Sequence, residues 1–152
     1  MKWLIILYLI VGISPARGQS HEEQAVAAVL MGEAWSEGIP GMTAVAEVIH
    51  QRAVEKSRTP LQVVTARGRH IHAFCCLDGA TLDQLIQKFT PLPDYQKALQ
   101  IAQTVCQSPD QLPGLARHAN HFTSVTERPY WARGHRPVCV IGRHAFYRLE
   151  KY

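Results

Sequence analysis

The residue with the strongest claim to chemistry is Glu33. Val26, Val29 and Leu30 recur at helical spacing, and Glu33 follows on the same side, so a helix here carries a carboxyl group on its apolar stripe. An ionised carboxylate on such a stripe is costly unless it is paired. Partial burial raises the pKa of such a group, and an acid that keeps its proton near neutral pH is suited to general acid catalysis. Gly32 and Ala34 flank it with little bulk, which leaves space for a ligand to approach. Position alone also fits a plainer role, a helix-end Glu turned to water or paired with an Arg. Glu37 and Asp78 are the candidates for a second carboxylate. Glu37 shares the side of Glu33 if the helix continues, although Gly38 interrupts the pattern; its structural alternative is to hydrogen-bond the following loop. Asp78 precedes Gly79 and reads as a turn residue. The pairs His70-x-His72 and His118-x-x-His121 lack the H-E-x-x-H spacing of common zinc hydrolases, and the cysteines lack C-x-x-C pairs. No metal and no cofactor is expected.

The elements that must position these groups are mostly helical. Ser20 and Glu23 form a capping-box pattern that opens a helix running toward Trp35. Gly38, Pro40 and Gly41 break it, and a second helix is expected from Pro40, with Met42, Val45, Ala46, Ile49 and Ala53 on one face. Thr59-Pro60 opens a short third helix. Thr81 and Gln84 form another capping box, starting a helix to about Phe89. Pro93-Asp94 starts a longer helix through Leu99, Ile101, Ala102 and Val105. Beyond Pro109 the helical period fades. His121 to Val125 can be extended, and Val138–Ile141 and Ala145–Tyr147 flank Gly142 as a short hairpin. The fold class is therefore mainly α (α+β), with a small C-terminal β-hairpin.

The chain has 152 residues, which suits one domain, read as a monomer. Met1-Lys2, the apolar run Trp3–Ile13 and the small residues Ser14–Gly18 have the layout of a secretory signal peptide. The run is shorter than the roughly 20 residues a membrane span needs. Residues 1–18 are expected to be removed, leaving a domain over 19–152 with no stable membrane span. Removing Lys2 and Arg17 lowers the formal charge from +4 to +2. With no long Lys/Arg stripe, nucleic acid is a poor partner. All four cysteines, Cys75, Cys76, Cys106 and Cys139, lie in the mature part, and export with an even count points to disulfides. A bond between adjacent Cys75 and Cys76 is strained, so each is expected to pair with Cys106 or Cys139.

Five segments in order carry a resemblance. They are Gly32-Glu33-Ala34 with Glu37 and Gly41; Ala44-Val45-Ala46-x-Val48-Ile49-x-Gln51-Arg52-Ala53; Phe74-x-Cys76-x-Asp78-Gly79; His121-Phe122 with Pro129-x-Trp131-Ala132; and Ile141-Gly142-x-His144-x-Phe146-Tyr147-Arg148. Together they resemble the bacterial cell-wall hydrolases related to the spore cortex-lytic enzyme. The chain departs from the family at Cys75, where members often carry Ser, and over Pro113–His118. The resemblance implies a compact, lysozyme-like fold and makes Glu33 the acid. It also implies peptidoglycan as partner and glycan-strand cleavage in the periplasm or outside the cell. With no clear second carboxylate, a lytic transglycosylase is expected rather than a hydrolase that needs two. Glu37, His121, Thr123, Trp131 and Tyr147 are the candidate substrate-binding residues, with Trp131 and Tyr147 as aromatic walls opposite Glu33. The rival readings are a zinc amidase acting on the peptide stem and a wall-binding protein without catalysis.

Overall fold

The structure is a computed structural model that describes residues 18–68 and 73–150. The expected leader up to Arg17, and His70 and His72, lie outside the described residues. Five α-helices come first: α1 (His21–Ala34), α2 (Gly38–Lys56), α3 (Pro60–Val64), α4 (Leu82–Phe89) and α5 (Tyr95–Gln107). A three-stranded antiparallel sheet follows, with β1 (His121–Ser124), β2 (Cys139–Ile141) and β3 (His144–Tyr147) in the order β1-β3-β2. The expected hairpin is β2–β3, and β1 joins it along the other edge of β3.

Local chemistry sets the helix starts. Ser20 and Glu23 close the capping box of α1, Thr59 and Gln62 that of α3, and Thr81 and Gln84 that of α4. α2 begins at Gly38, two residues before Pro40, after one 3-10 turn over Trp35–Glu37. Gly38 adopts φ +65, a conformation open to glycine, and so turns the chain between the two helices.

α1 corrects one expectation. It has no single apolar stripe, because Ala25–Met31 are buried on every side by α2, α3, α4 and α5. A helix that is apolar all round is a central helix. Each fully buried Val, Leu or Met of this stretch contributes about 1.5–3 kcal/mol. Glu33 is therefore the place where the central helix leaves the core, and its side chain is half-buried. A small second cluster (Ala132, Ala145, Tyr147, Leu149 and part of Trp131) packs on the reverse face of the sheet. No described helix is long and apolar enough to cross a membrane.

The four cysteines are thiols in the structure, not disulfides. Cys76 packs on Gly32 at the C-terminal end of α1, whereas Cys106 lies by Glu22 and Glu23 at its start. Nine helical residues between Glu23 and Gly32 span about 13 Å, beyond the reach of a disulfide. Cys139 sits elsewhere again, its thiol donating to the Leu115 carbonyl at 3.4 Å.

Candidate active site at the end of the central helix

Glu33 is held from one side by the Cys75-Cys76 turn. The Cys76 N–H donates to Glu33 Oε1 at 2.8 Å, and the Cys75 thiol lies 3.5 and 3.4 Å from Oε1 and Oε2. Gly32 makes this approach possible. A Cβ on Gly32 would stand 2.7 Å from Cys76 Cβ and 3.0 Å from its Sγ. Its missing side chain makes room for Cys76 rather than for a ligand, and Ala34 is fully buried. The expected space around Glu33 lies on the other side. There a cleft of about 280 Å³ is lined by Glu33, Ser36, Glu37, Ser124, Thr126, Arg143 and His144.

Glu37 is brought to this cleft but is already engaged. Its Oε2 accepts the Arg143 N–H at 2.9 Å and its Oε1 accepts Arg143 Nε at 3.0 Å. Its side chain is only 7% exposed. These hydrogen bonds, the backbone one first, hold its pKa below the usual carboxylate value, so it stays ionised. Gly41 and Gly142 close around it: a Cβ on Gly41 would meet Glu37 Cβ at 2.2 Å, and one on Gly142 would meet Oε2 at 1.8 Å. Glu37 thus clamps the β2–β3 turn onto the end of α1. Asp78 lies outside the cleft, in a separate groove with Thr65 and Arg67.

The other expected site residues are placed elsewhere by strand geometry. Alternate residues of a strand point to opposite faces. Phe122 and Phe146 point into the main core, and Ser124 and His144 share their face at the Glu33 cleft. Thr123 and Tyr147 fall on the reverse face. Thr123 is buried and donates to Glu127 Oε2 at 3.0 Å, and Tyr147 is buried against Trp131 with ring centres 5.5 Å apart. Tyr147 is thus part of the second cluster, not an aromatic wall opposite Glu33. His121 pairs with Tyr147 at the far end of the sheet, its ring 4.9 Å from that of Trp131. His121 and Trp131 line a different groove, with Arg52 and Lys56.

Ser124, Thr126, Arg143 and His144 line the cleft beside Glu33 and were not singled out by the sequence. The available signal was the period-2 alternation of β3, which puts His144 on the face of Phe146. His144 Nδ1 is buried and carries no hydrogen bond, and the ring packs edge-on against Phe122 at 5.5 Å. Glu47 was also passed over. It is a buried α2 carboxylate that accepts the N–H groups of Gly114 and Leu115 at 2.7 and 2.9 Å and that of Ala116, and so anchors the loop before β1. His118 is exposed, and among the described residues no group of three His, Cys, Asp or Glu side chains is arranged to hold a metal ion.

The arrangement offers one half-buried carboxyl group with two donors behind it and a polar cleft in front. The one other carboxylate lining that cleft is tied to an arginine. Such a site can give and retake a proton at one point. A family model described as Cell Wall Hydrolase matches residues 36–147, a span that begins three residues after Glu33. No curated protein and no solved structure matches the chain.

Proposed function

This chain belongs to the cell wall hydrolase family, and from that premise we propose that it cuts the glycan strands of peptidoglycan as a lytic transglycosylase with Glu33 as acid and base. The family makes peptidoglycan the substrate. The observation that carries the finer reading is the state of Glu37: the second carboxylate at the cleft is bound by the Arg143 N–H and Nε and nearly sealed from solvent. A retaining or inverting hydrolase needs a second carboxylate to attack the sugar or activate water. A transglycosylase needs one group used twice.

In this mechanism Glu33 gives its proton to the glycosidic oxygen as the bond from that oxygen to C1 of the muramic residue breaks. The leaving sugar departs with a free hydroxyl. Glu33, now a carboxylate, takes the proton of the muramic 6-hydroxyl while that oxygen bonds to C1 and closes a 1,6-anhydro ring. The acid is thereby restored, and no water is consumed. Attack from within the same sugar has the advantage of proximity. The Cys76 N–H and the Cys75 thiol fix where the carboxyl group points through both transfers. Ser124, Thr126 and His144 are the groups that meet the sugar across the cleft. Glu37 serves by holding the Arg143 turn, and Thr123 and Tyr147 by holding the sheet.

The enzyme acts as a monomer in the periplasm or outside the cell, where its substrate lies, and residues 1–18 are its leader. Mass spectrometry of fragments released from purified peptidoglycan tests the reaction type. The expected fragments carry 1,6-anhydromuramic ends. Ordinary reducing ends would show that water is the nucleophile and that hydrolysis is the reaction.

A further inference from the structure

An aromatic face stands beside Glu33 on the end of its own helix. Trp35 follows the acid by two residues, which bounds their Cα separation at about 7 Å. Ala34 between them is fully buried, so Glu33 and Trp35 emerge on either side of it at the end of α1. Ser36, the next residue, lines the Glu33 cleft. Trp35 is 43% exposed, and Ile39, four residues on, is exposed as well. Single exposed apolar side chains are ordinary, but two on one short connection beside a cleft mark a surface of the kind that ligands cover.

This indole is held in place. Its Nε1–H donates to Asp94 Oδ2 at 3.0 Å, and Asp94 Oδ1 accepts from Lys97 Nζ at 2.8 Å. The Lys97 bond first, and then that of the indole, hold the Asp94 carboxyl below its usual range, so it stays an acceptor. The indole ring meets Phe89 of α4 at 6.3 Å between centres and 74° between planes. An edge-to-face contact of this kind covers at most one face of the indole. The ring N–H is the one donor of a tryptophan side chain, and Asp94 takes it. What Trp35 offers at the surface is therefore a flat apolar face with no polar demand of its own. Phe89 also reaches Gly32, where a Cβ would stand 3.9 Å from its ring and 2.7 Å from Cys76 Cβ. Trp35 and the Cys75-Cys76 turn thus rest on the same end of α1.

We propose that Trp35 is a sugar platform, which stacks on a pyranose ring of the glycan strand just outside the Glu33 cleft. That cleft, at about 280 Å³, is at the small end of ligand sites and takes only part of a polymer. The strand must therefore continue over the surface that borders it, and Ser36 carries the cleft wall directly to Trp35. A β-linked ring of gluco configuration holds its substituents at the rim, so each of its faces is a layer of C–H groups. Their weakly positive hydrogens suit the negative face of an aromatic ring. The lactyl group and peptide stem of a muramic unit leave from the rim and stay clear of the stacked face. A ring already fixed by Asp94 and Phe89 loses little freedom when the sugar lands, which keeps the cost of binding low. Glu33 then works on one linkage while the indole holds a neighbouring sugar in line. The proposal rests on the family's wall substrate and on glycan as the part bound, but not on the reaction type.

Calorimetric titration of the Glu33→Gln protein, which leaves strands whole, with soluble glycan strands freed of their stem peptides tests it. Adding Trp35→Leu, which keeps apolar bulk but no flat face, should weaken binding about tenfold. Adding Trp35→Phe, which keeps a ring, should hold binding within about threefold of the Glu33→Gln protein. In the active chain, Trp35→Leu should raise KM by about the same tenfold and leave kcat within about twofold, because the sugar under the indole does not react. A measurement on the unaltered side chain separates binding from folding. The Trp35 indole N–H resonance of the Glu33→Gln protein should shift as strands are added and stay in place with free stem peptide. A Trp35→Leu chain that binds as tightly as its parent, a fall in kcat at unchanged KM, or an indole resonance that strands do not move would overturn the platform. Strands held through Trp35 but cut to ordinary reducing ends would refute the proposed transglycosylase and leave the platform standing. Strands held equally well without the indole would overturn the platform and leave the reaction of Glu33 untouched.

Discussion

Gly32→Ala separates the geometry of the site from the stability of the fold. Gly32 lies inside α1, where alanine is the better helix former by about 1 kcal/mol. Stability alone would therefore favour the change. Against it, the new Cβ would stand 2.7 Å from Cys76 Cβ. That atom is tied to the backbone, so the Cys75-Cys76 turn must retreat by about 0.7 Å to reach an ordinary contact. Such overpacking costs about 1–3 kcal/mol, and the net change should stay within about 2 kcal/mol. The same retreat stretches the bond from the Cys76 N–H to Glu33 Oε1 from 2.8 Å towards 3.5 Å, where it no longer holds the carboxyl group. A misplacement near 1 Å can cost about 10²-fold in rate. Gly32→Ala should therefore stay folded while losing about 10- to 100-fold in kcat, measured as clearing of a peptidoglycan suspension beside a melting curve. Cys76→Gly removes the obstructing atom and should restore much of the lost rate. Cys76→Ala keeps that atom and should not. Full activity in Gly32→Ala, or equal rescue by both second changes, would refute the role given to the Cys75-Cys76 turn.

Two further outcomes follow from the thiols and the histidine. Burial first, and then Glu33, push the Cys75 thiol up to about 11, so it stays protonated at neutral pH and should react slowly with iodoacetamide. Once carboxamidomethylated, it should block the enzyme, whereas Cys75→Ser keeps a hydrogen-bond donor at Glu33 and should keep the activity; rapid labelling that leaves activity intact would contradict this placement. Burial, followed by Arg52 and Lys56, holds His121 near 4 in the folded chain against an ordinary 6.5, so the unfolded chain gains its proton first as pH falls. That contribution to stability is present above about 6.5 and is lost towards 4. The melting temperature should fall between pH 7 and pH 5, and His121→Gln should flatten the fall; an unchanged slope would count against the buried neutral ring.

The parts of this molecule legible in the sequence are those set by neighbours along the chain. The capping pairs Ser20/Glu23 and Thr81/Gln84, and the Thr59-Pro60 start, each sit within one turn, and all three open helices where expected. The β2–β3 hairpin was visible because Gly142 marks its turn. Glu33 does lie in the last turn of the first helix, as its spacing suggests, but not on an apolar stripe: α1 is buried all round, so its apolar spacing singles out no face. What failed was long-range. Nothing near Glu37 announces that it will meet Arg143, 106 positions away, in a turn that only Gly142 can make. Likewise, Thr123 and Ser124 are adjacent hydroxyls, and only the pairing of β1 with β3 decides which of them faces the cleft. The aromatic residues near the C-terminus looked like a sugar wall, but Tyr147 is 6% exposed and fills the second cluster. The cysteine count pointed to disulfides, and the length of α1 keeps Cys76 and Cys106 apart.

The central claim is that one carboxyl group, that of Glu33, carries both proton transfers. Glu33→Gln keeps its shape and, through its one remaining oxygen, the bond from the Cys76 N–H, but has no acidic proton to give. The direct measurement is the initial rate at which purified parent and Glu33→Gln protein release soluble fragments from peptidoglycan, with melting curves to show that both are folded. General acid–base terms are worth about 10²–10⁴ in rate, and a group used twice should lie at the upper end or beyond. The account predicts a folded variant with that loss. A Glu33→Gln protein that releases fragments at the parent rate would contradict it.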